Sequence, residues 1–121
     1  MKLNHLNLIV TDVAAAVIFF ETYFDFKCTL TKGDNVIAVL EGENNFTLVV
    51  MTQKQGEVSY PPNFHIGFMS DTKEEVDAVH KKLKNGNILL PGEPGKIRDS
   101  YGFYFHFDGI MIEVGHYTKK K

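Results

Sequence analysis

Cysteine is nearly absent from this sequence, which also has no tryptophan and no long hydrophobic run. The one cysteine among 121 residues, Cys28, cannot form an internal disulfide and lacks the CxxC spacing of a zinc or redox motif. We therefore expect a reducing, cytoplasmic setting. The longest apolar stretches have the length of strands and fall short of the ~20 residues that a membrane helix needs. Asn4, His5 and Asn7 interrupt the apolar run near the start, so no secretory signal peptide and no membrane partner are predicted.

An excess of charge of either sign is missing as well. The 13 Lys and Arg residues are nearly matched by 15 Asp and Glu, which gives a formal net charge of -2. Because proteins that bind nucleic acid usually carry a basic face, we predict no nucleic-acid partner. The one basic run, at residues 119–121, is expected to be a solvated end. With 44% hydrophobic and 23% charged residues, the chain has the composition of a soluble globular protein, and its length suits one domain over residues 1–121.

What the sequence does contain is an internal repeat. The stretches NHLNLIVTD, at residues 4–12, and FHIGFMSD, at residues 64–71, each hold a histidine in a strand-like run that ends in Thr or Ser followed by Asp. A helix-like segment follows each one, VAAAVIFFETYF in the first copy and TKEEVDAVHKKLKNG in the second. Asp12, and Asp71 or one of its neighbours, are predicted to cap these helices, because a short oxygen-bearing side chain accepts the unpaired N–H groups of the first turn. Gly86 is expected to take the left-handed conformation that ends the second helix.

Three strand-like segments follow each helix. They cover residues 27–32, 36–41 and 46–52 in the first copy, and residues 87–90, 101–107 and 110–116 in the second. Asp108-Gly109 is a dipeptide typical of a tight hairpin turn. The loop PGEPGKIRDS, at residues 91–100, is predicted to cover a site. The pattern therefore predicts an α+β fold made of two βαβββ modules, residues 1–58 and 59–121.

The two histidine stretches and the hairpin YGFYFHFDGIMIEV resemble a known family. This family is the vicinal oxygen chelate superfamily, which includes glyoxalase I, extradiol dioxygenases, fosfomycin-resistance thiol transferases and bleomycin-resistance proteins. The hairpin is similar to the family's aromatic strand, Asp-Pro-Asp-Gly turn and glutamate strand, with Phe107 in place of the usual proline. The resemblance covers essentially the whole chain and implies curved mixed sheets around a cleft.

The resemblance also implies a metal site formed by His5, His65 and Glu113. Glu113 alternates with apolar neighbours on its strand, where a carboxylate is costly unless it is paired or coordinated. Two imidazoles and one carboxylate form a ligand set that leaves open positions for a substrate on a divalent cation, whether Zn, Ni, Mn or Fe. The competing interpretation is that each histidine is simply hydrogen-bonded to the backbone or to solvent. Val49 stands where the glyoxalase I branch has a fourth ligand, which counts against a true glyoxalase I.

Alternation along the strands predicts which side chains face the substrate. Residues two apart face the same way, so Asn7 should share the face of His5. By the same parity Tyr101, Phe103 and Phe105 are predicted to line the site, with core packing as the competing interpretation for the two phenylalanines. Arg98 is a candidate partner for an anionic substrate, although a surface arginine is the simpler interpretation. His80 is expected on the polar side of its helix and His106 and His116 on or near the outside, and no role is predicted for these three.

The leading functional hypothesis is a metal-dependent lyase, isomerase or transferase, with Glu113 as the catalytic carboxylate. Its small-molecule substrate would bind the cation through two adjacent oxygens. Within this class, a fosfomycin-type thiol transferase would share the three-ligand set and this chain length, but beyond Arg98 and the terminal lysines this sequence shows no obvious cationic residues to hold a phosphonate. An extradiol dioxygenase would need Fe(II) and an added acid/base histidine, and it usually has a longer chain. The alternative is a metal-free protein of the bleomycin-resistance type that sequesters an aromatic or cationic small molecule. A homodimer is expected under either hypothesis.

Overall fold

The chain folds into two compact units, Met1–Val58 and Ser59–Lys121. The computed structural model describes residues 1–119, so the last two lysines of the predicted basic tail lie outside the described residues. Lys119, the first of the three, is exposed and its Nζ lies 3.1 Å from Asp99 Oδ1. None of the helices within residues 1–119 is long and apolar enough to cross a membrane.

Each unit has the element order βαβββ. Unit 1 contains β1 (His5–Ile9), α1 (Val13–Phe24), β2 (Lys27–Lys32), β3 (Ile37–Glu41), a short 3₁₀ turn (Glu43–Asn45) and β4 (Thr47–Met51). Unit 2 contains β5 (His65–Met69), α2 (Lys73–Asn85), β6 (Gly95–Ile97), β7 (Ser100–Phe107) and β8 (Ile110–Tyr117).

The two sheets have the same topology. The strand order is β1-β4-β3-β2 in unit 1 and β5-β8-β7-β6 in unit 2. In each sheet the first strand pairs in parallel with the last, and the other pairs are antiparallel. Both sheets are therefore mixed, and the predicted α+β fold with two βαβββ modules is confirmed.

Helix capping follows the sequence signals at both helices. Asp12 accepts a hydrogen bond from Ala15 N at 3.1 Å, as expected for an N-cap. At α2 the cap is Thr72, the neighbour of Asp71. The Thr72 hydroxyl accepts a hydrogen bond from Glu75 N at 3.1 Å. Thr72 and Glu75 form the S/T-x-x-E pattern of a capping box.

The predicted strand at residues 87–90 is wrong, and so is the left-handed assignment of Gly86. Asn87 takes the left-handed conformation with a φ of 63°, whereas the φ of Gly86 is -85°. The N–H groups of Asn87 and Ile88 bond back to Lys84 O and Leu83 O and close the helix. These two donors are therefore not available to a neighbouring strand, and the third strand-like element of the module forms later, as β6, inside the predicted loop.

One face of each sheet is packed against the helix of its own unit. In unit 1 the side chains buried on this face are contributed by Leu8, Val10, Ala38, Leu40, Leu48 and Val50 of the sheet segment and by Val13, Ala16, Phe19 and Phe20 of α1. In unit 2 they are contributed by Phe103, Phe105, Ile110, Ile112 and Val114 of the hairpin and by Val76, His80 and Leu83 of α2. Full burial of a large apolar side chain contributes roughly 1.5–3 kcal/mol. The opposite face, which we call the helix-free face, carries the remaining side chains of each strand.

Candidate functional site

The strand register of unit 2 defines which side chains share the helix-free face. Residues paired across neighbouring strands point to the same side of a sheet. Ile112 and Val114 are buried beneath α2, so Glu113, between them, points to the helix-free face. The pairs made by β8 with β5 and β7 give three rows on that face: His65, Met111 and His106; Gly67, Glu113 and Tyr104; Met69, Gly115 and Gly102.

His65 and Glu113 lie together on this face. His65 Nε2 is 3.7 Å from Glu113 Oε1, and the side chains are 41% and 16% exposed, respectively. His65 Nδ1 is 3.0 Å from the carbonyl oxygen of Asn63. Because a carbonyl oxygen only accepts, Nδ1 donates the hydrogen in this contact, and in the neutral imidazole the lone pair is then on Nε2, on the side of Glu113. Histidines that bind a metal through one ring nitrogen usually donate the N–H of the other nitrogen to a group such as a backbone carbonyl.

The spacing of this pair fits a divalent cation. A cation about 2.0–2.2 Å from each of two donors allows them to be at most ~4.4 Å apart. The measured 3.7 Å lies within that limit, and it is longer than the ~2.7–3.2 Å of a direct N–H···O hydrogen bond. Gly67 leaves room beside the carboxylate, since a Cβ added there would be 3.5 Å from Glu113 Oε1.

The structure brings two of the three predicted ligands together. Within residues 1–119, no group of three or more His, Cys, Asp or Glu side chains is arranged to hold a metal ion. His65 and Glu113 both lie in unit 2, whereas His5 lies in unit 1, on an exposed stretch of β1.

Unit 1 repeats the register of unit 2. Its rows are His5, Thr47 and Glu41; Asn7, Val49 and Val39; Ile9, Met51 and Ile37. His5 thus holds the position that His65 holds in unit 2, and Asn7 shares its face, as predicted. Val49 holds in unit 1 the position that Glu113 holds in unit 2. Of these two equivalent positions, only the one in unit 2 carries a carboxylate.

Tyr104 is a residue of this face that parity reasoning missed. It pairs with Glu113 across the β7–β8 hairpin, on the same face of the sheet. Its ring meets the His65 ring edge-to-face, with centroids 5.7 Å apart and planes at 82°. Burial raises the pKa of Tyr104 most, followed by the negative charge of the nearby Glu113, while the positive charge of Arg98 acts in the opposite direction.

The predicted facing of Tyr101, Phe103 and Phe105 is wrong. The two-residue turn at Asp108-Gly109 sets the register so that these three side chains pair with His116, Val114 and Ile112 on the α2 side. Tyr101 donates its hydroxyl to Asp77 Oδ1 of α2 at 2.6 Å, and Lys73 Nζ lies 5.4 Å from its ring centre. Phe103 is 5% exposed, and Phe105 is fully buried. Core packing, the competing interpretation, describes both phenylalanines.

The other histidines have different environments. His80 is 6% exposed, not on a polar surface as predicted. Its Nε2–H donates to Gly92 O at 2.9 Å, its Nδ1 lies 3.6 Å from Glu93 Oε2, and its ring packs edge-to-face on Phe103 with centroids 4.8 Å apart. His80 therefore fastens the loop after α2 to the helix. His106 is exposed on the helix-free face, in the row of His65.

Arg98 lies in the turn between β6 and β7, with a left-handed φ of 51°. Its side chain is exposed, and its charge acts on the Tyr104 hydroxyl. Among the described residues, Arg98 is a cation whose charge acts on the phenol that pairs with Glu113 across the strands.

Comparison with known proteins agrees with this architecture. Residues 2–114 match the model of the glyoxalase/bleomycin resistance protein/dioxygenase superfamily. A structure of a possible glyoxalase from Bacillus cereus is 42% identical, with a TM-score of 0.82 over 94% of this chain and 97% of that one. No curated protein matches the chain.

Two more distant structures share the fold. Lactoylglutathione lyase from Agrobacterium tumefaciens is 20% identical, with a TM-score of 0.76 over 95% of this chain and 92% of that one. A mutant of the fosfomycin resistance protein FosX from Listeria monocytogenes, solved with Mn(II) and 1S,2S-dihydroxypropylphosphonic acid, is 20% identical, with a TM-score of 0.75 over 98% of this chain and 93% of that one.

Proposed function

Because the chain belongs to the glyoxalase/bleomycin resistance protein/dioxygenase superfamily, we propose that it is a metal-dependent lyase, isomerase or transferase. Its cation is a divalent metal such as Zn, Ni, Mn or Fe, and its ligands are His5, His65 and Glu113. The observation that carries the proposal is the His65–Glu113 pair, in which Nε2 and a carboxylate oxygen lie 3.7 Å apart on one face, while Nδ1 lies 3.0 Å from Asn63 O. Two donors at this spacing suit one cation.

His5 is the proposed third ligand because of its position in the repeat. It occupies in unit 1 the row that His65 occupies in unit 2, on the strand that pairs in parallel with the last strand of its unit. Two histidines and one carboxylate leave positions open on the cation. Val49, which stands in the row equivalent to Glu113, offers no fourth ligand, so we propose a three-ligand site.

The substrate class follows from this ligand set. A bound cation with open positions polarises two adjacent oxygens of a small molecule and stabilises the negative charge that develops on them. The FosX structure with Mn(II) contains a dihydroxypropyl compound, which also carries two adjacent oxygens. Asn7 is proposed to orient the substrate through its amide, and Arg98 to bind an anionic substituent as an exposed guanidinium.

The first experiment is a metal titration. Protein freed of metal with a chelator is titrated with Mn(II), Zn(II), Ni(II) and Fe(II) by calorimetry. We expect one metal ion to bind per proposed site. The affinity for this ion should be strongly reduced by His65→Ala and by Glu113→Gln. His106→Ala is the matched control, because His106 shares the face and the row of His65 but is not a proposed ligand.

Two outcomes contradict the proposal. Wild-type protein that takes up none of these metals, and instead binds aromatic or cationic small molecules, identifies a metal-free binding protein. Metal binding that survives Glu113→Gln with full affinity removes the carboxylate from the site.

We also propose that the protein is a homodimer in which His5 of one copy joins His65 and Glu113 of the other. The support is in unit 1, where β2 is an edge strand with five exposed residues of six. Exposed apolar side chains lie on this strand and near it, among them Leu30, Ile18 and Val36. Edge strands and apolar surface of this kind are commonly covered by a second copy.

A further inference from the structure

We infer that a pocket beside β6, at the edge of the unit 2 sheet, receives an uncharged aromatic or apolar substituent of the substrate, an inference that rests on the proposed metal site. This edge pocket has a volume of about 330 Å³, and its lining includes Gly95, Ile97, Gly102, Phe103 and Tyr104. Pockets for small molecules have volumes of roughly 300–1,000 Å³. The edge pocket is at the small end of that range and therefore suits one part of a ligand.

The edge pocket exists because β6 is much shorter than β7. β6 has three residues and pairs only with Ser100–Gly102, whereas β7 continues to Phe107. Pro94 directly precedes β6, and a proline has no N–H to donate to a neighbouring strand, which favours the end of the pairing at Gly95. The residues before Pro94 lie outside the sheet, and Pro91 among them lines the pocket.

The edge pocket adjoins the face that carries Glu113. Gly102 and Tyr104 lie on the helix-free face, and Gly95 lies there too because it pairs with Gly102. A Cβ added at Gly95 would meet no atom beyond its chain neighbours within 4 Å, so this part of the face is open space. Tyr104 connects the pocket to the proposed metal site, since it lines the pocket and its ring centre is 5.7 Å from that of His65.

The position of the edge pocket defines the part of the substrate that it receives. In the sheet, β7 separates β6 from β8, the strand of Glu113, so β6 and β8 lie about 10 Å apart. Two oxygens bound to the cation stay near Glu113, and a substituent that extends along the sheet past Tyr104 reaches the pocket. The substrate is therefore an oxygen-chelating molecule with an extended substituent.

The lining defines the charge of that substituent. Phe103 is buried and Ile97 and Tyr104 are half-buried, so the walls offer apolar and aromatic surface on which a flat ring packs well. The charged residues of the lining, Glu93 and Lys96, have opposite signs and are both exposed. Because their charges offset each other and the burial of an unpaired charge is costly, the pocket favours an uncharged group.

Two hydroxamates test this inference. A hydroxamate chelates a metal through two adjacent oxygens, so acetohydroxamate probes the cation alone, whereas biphenyl-4-carbohydroxamate adds two linked rings that extend toward the edge pocket. Both compounds are titrated by calorimetry into protein loaded with Mn(II). We expect wild type to bind the biphenyl compound at least about tenfold more tightly than acetohydroxamate, because a ring in the pocket is removed from water.

Gly95→Leu is the variant that fills the edge pocket. The backbone of Gly95 lies outside the left-handed region and a Cβ there meets open space, so leucine is accommodated without strain. This variant should lose the preference for the biphenyl compound and keep the wild-type Kd for acetohydroxamate and for Mn(II). Gly95→Ala is the matched control, because it adds only a methyl group and should keep most of the preference. Denaturant unfolding of both variants verifies that they fold.

Three results overturn the inference. The first is equal affinity of wild type for the two hydroxamates, and the second is a preference for the biphenyl compound that survives Gly95→Leu. The third is binding of the biphenyl compound to metal-free protein as tightly as to the Mn(II) form, because the pocket then acts without the cation.

These results remain distinct from those that test the proposed function. Wild-type protein that takes up no Mn(II) removes the metal site and this inference with it. Protein that binds Mn(II) and acetohydroxamate, but shows no preference for the biphenyl compound, keeps the metal site and overturns the role of the edge pocket alone.

Discussion

At the scale of single residues, three histidines of unit 2 each contact a backbone carbonyl through one ring nitrogen. His65 Nδ1 bonds Asn63 O, His80 Nε2 bonds Gly92 O, and His116 Nδ1 lies 3.0 Å from Ser70 O. The competing interpretation of the histidines, hydrogen bonding to the backbone, therefore describes all three. For His65 it does not exclude metal binding, because the backbone bond uses one ring nitrogen and leaves the other free.

His80→Leu tests the buried histidine. Leucine keeps apolar contact with Phe103 but leaves Gly92 O without its donor, so we expect a loss of about 1–3 kcal/mol in the free energy of unfolding. Chemical denaturation measures this loss. His106→Leu, at an exposed position, is the control and should change stability by at most ~0.5 kcal/mol. Equal effects of the two variants would show that the Gly92 bond contributes nothing.

At the scale of elements, two devices connect α2 to its surroundings. Its N-terminus is capped by Thr72. Its first half is connected to β7 by the hydrogen bond from the Tyr101 hydroxyl to Asp77. Both depend on one hydroxyl, so each can be removed with a small change in volume.

Thr72→Ala should destabilise the protein by about 1 kcal/mol, because the N–H of Glu75 loses its acceptor. Thr72→Ser keeps the hydroxyl and should stay within a few tenths of a kcal/mol of wild type. Urea unfolding of the three proteins measures the difference. Serine and alanine variants of equal stability would contradict a role for the cap.

Alkaline pH should weaken the tie between β7 and α2. The hydrogen bond to Asp77 raises the pKa of Tyr101 above its ordinary value, followed in effect by burial and the charges of Asp77, Glu74 and Glu93. Because the pKa of Tyr101 is higher in the folded state, its hydrogen bond to Asp77 contributes fully to stability below the pKa of the unfolded chain. That contribution is lost as the pH rises through the folded-state pKa, here above pH ~10. The free energy of unfolding should therefore fall less steeply above that pH in Tyr101→Phe than in wild type. Parallel pH profiles of the two proteins would contradict this expectation.

At the scale of the whole molecule, the proposed dimer makes two predictions. Light scattering after size exclusion should give the mass of two chains at micromolar concentration, and a monomer would contradict the proposal. The second prediction concerns which copy supplies His5.

Mixing two variants that each bind Mn(II) poorly tests whether His5 comes from the other copy. If His5 of one copy joins His65 and Glu113 of the other, a heterodimer of His5→Ala and His65→Ala chains has one site with both defects and one intact site. Exchange of subunits should then restore part of the Mn(II) binding. The control mixture, His65→Ala with Glu113→Gln, should restore none, because both defects lie in unit 2 and every site keeps one of them. No restoration in the first mixture would rule out a site shared between copies.

Much of the architecture could be predicted from local patterns. Several features depend only on neighbouring residues, so they can be recognised in the sequence. They are the two histidine stretches, the capping residues Asp12 and Thr72, and the Asp108-Gly109 turn. The exception was the segment after α2. There the closing hydrogen bonds of the helix end compete with strand pairing, and apolar residues such as Leu89 remain exposed.

The sequence by itself determined the two βαβββ repeats and the candidate ligands His5, His65 and Glu113, because strand and helix periodicity and the resemblance to a family are carried by the order of residues. Only the tertiary structure decided that Tyr104, rather than Tyr101 or Phe103, stands beside Glu113. The physical reason is that a strand has a period of two residues, so a register counted wrongly by one residue moves every side chain to the other face. That register is set by the turn and the packed sheet together.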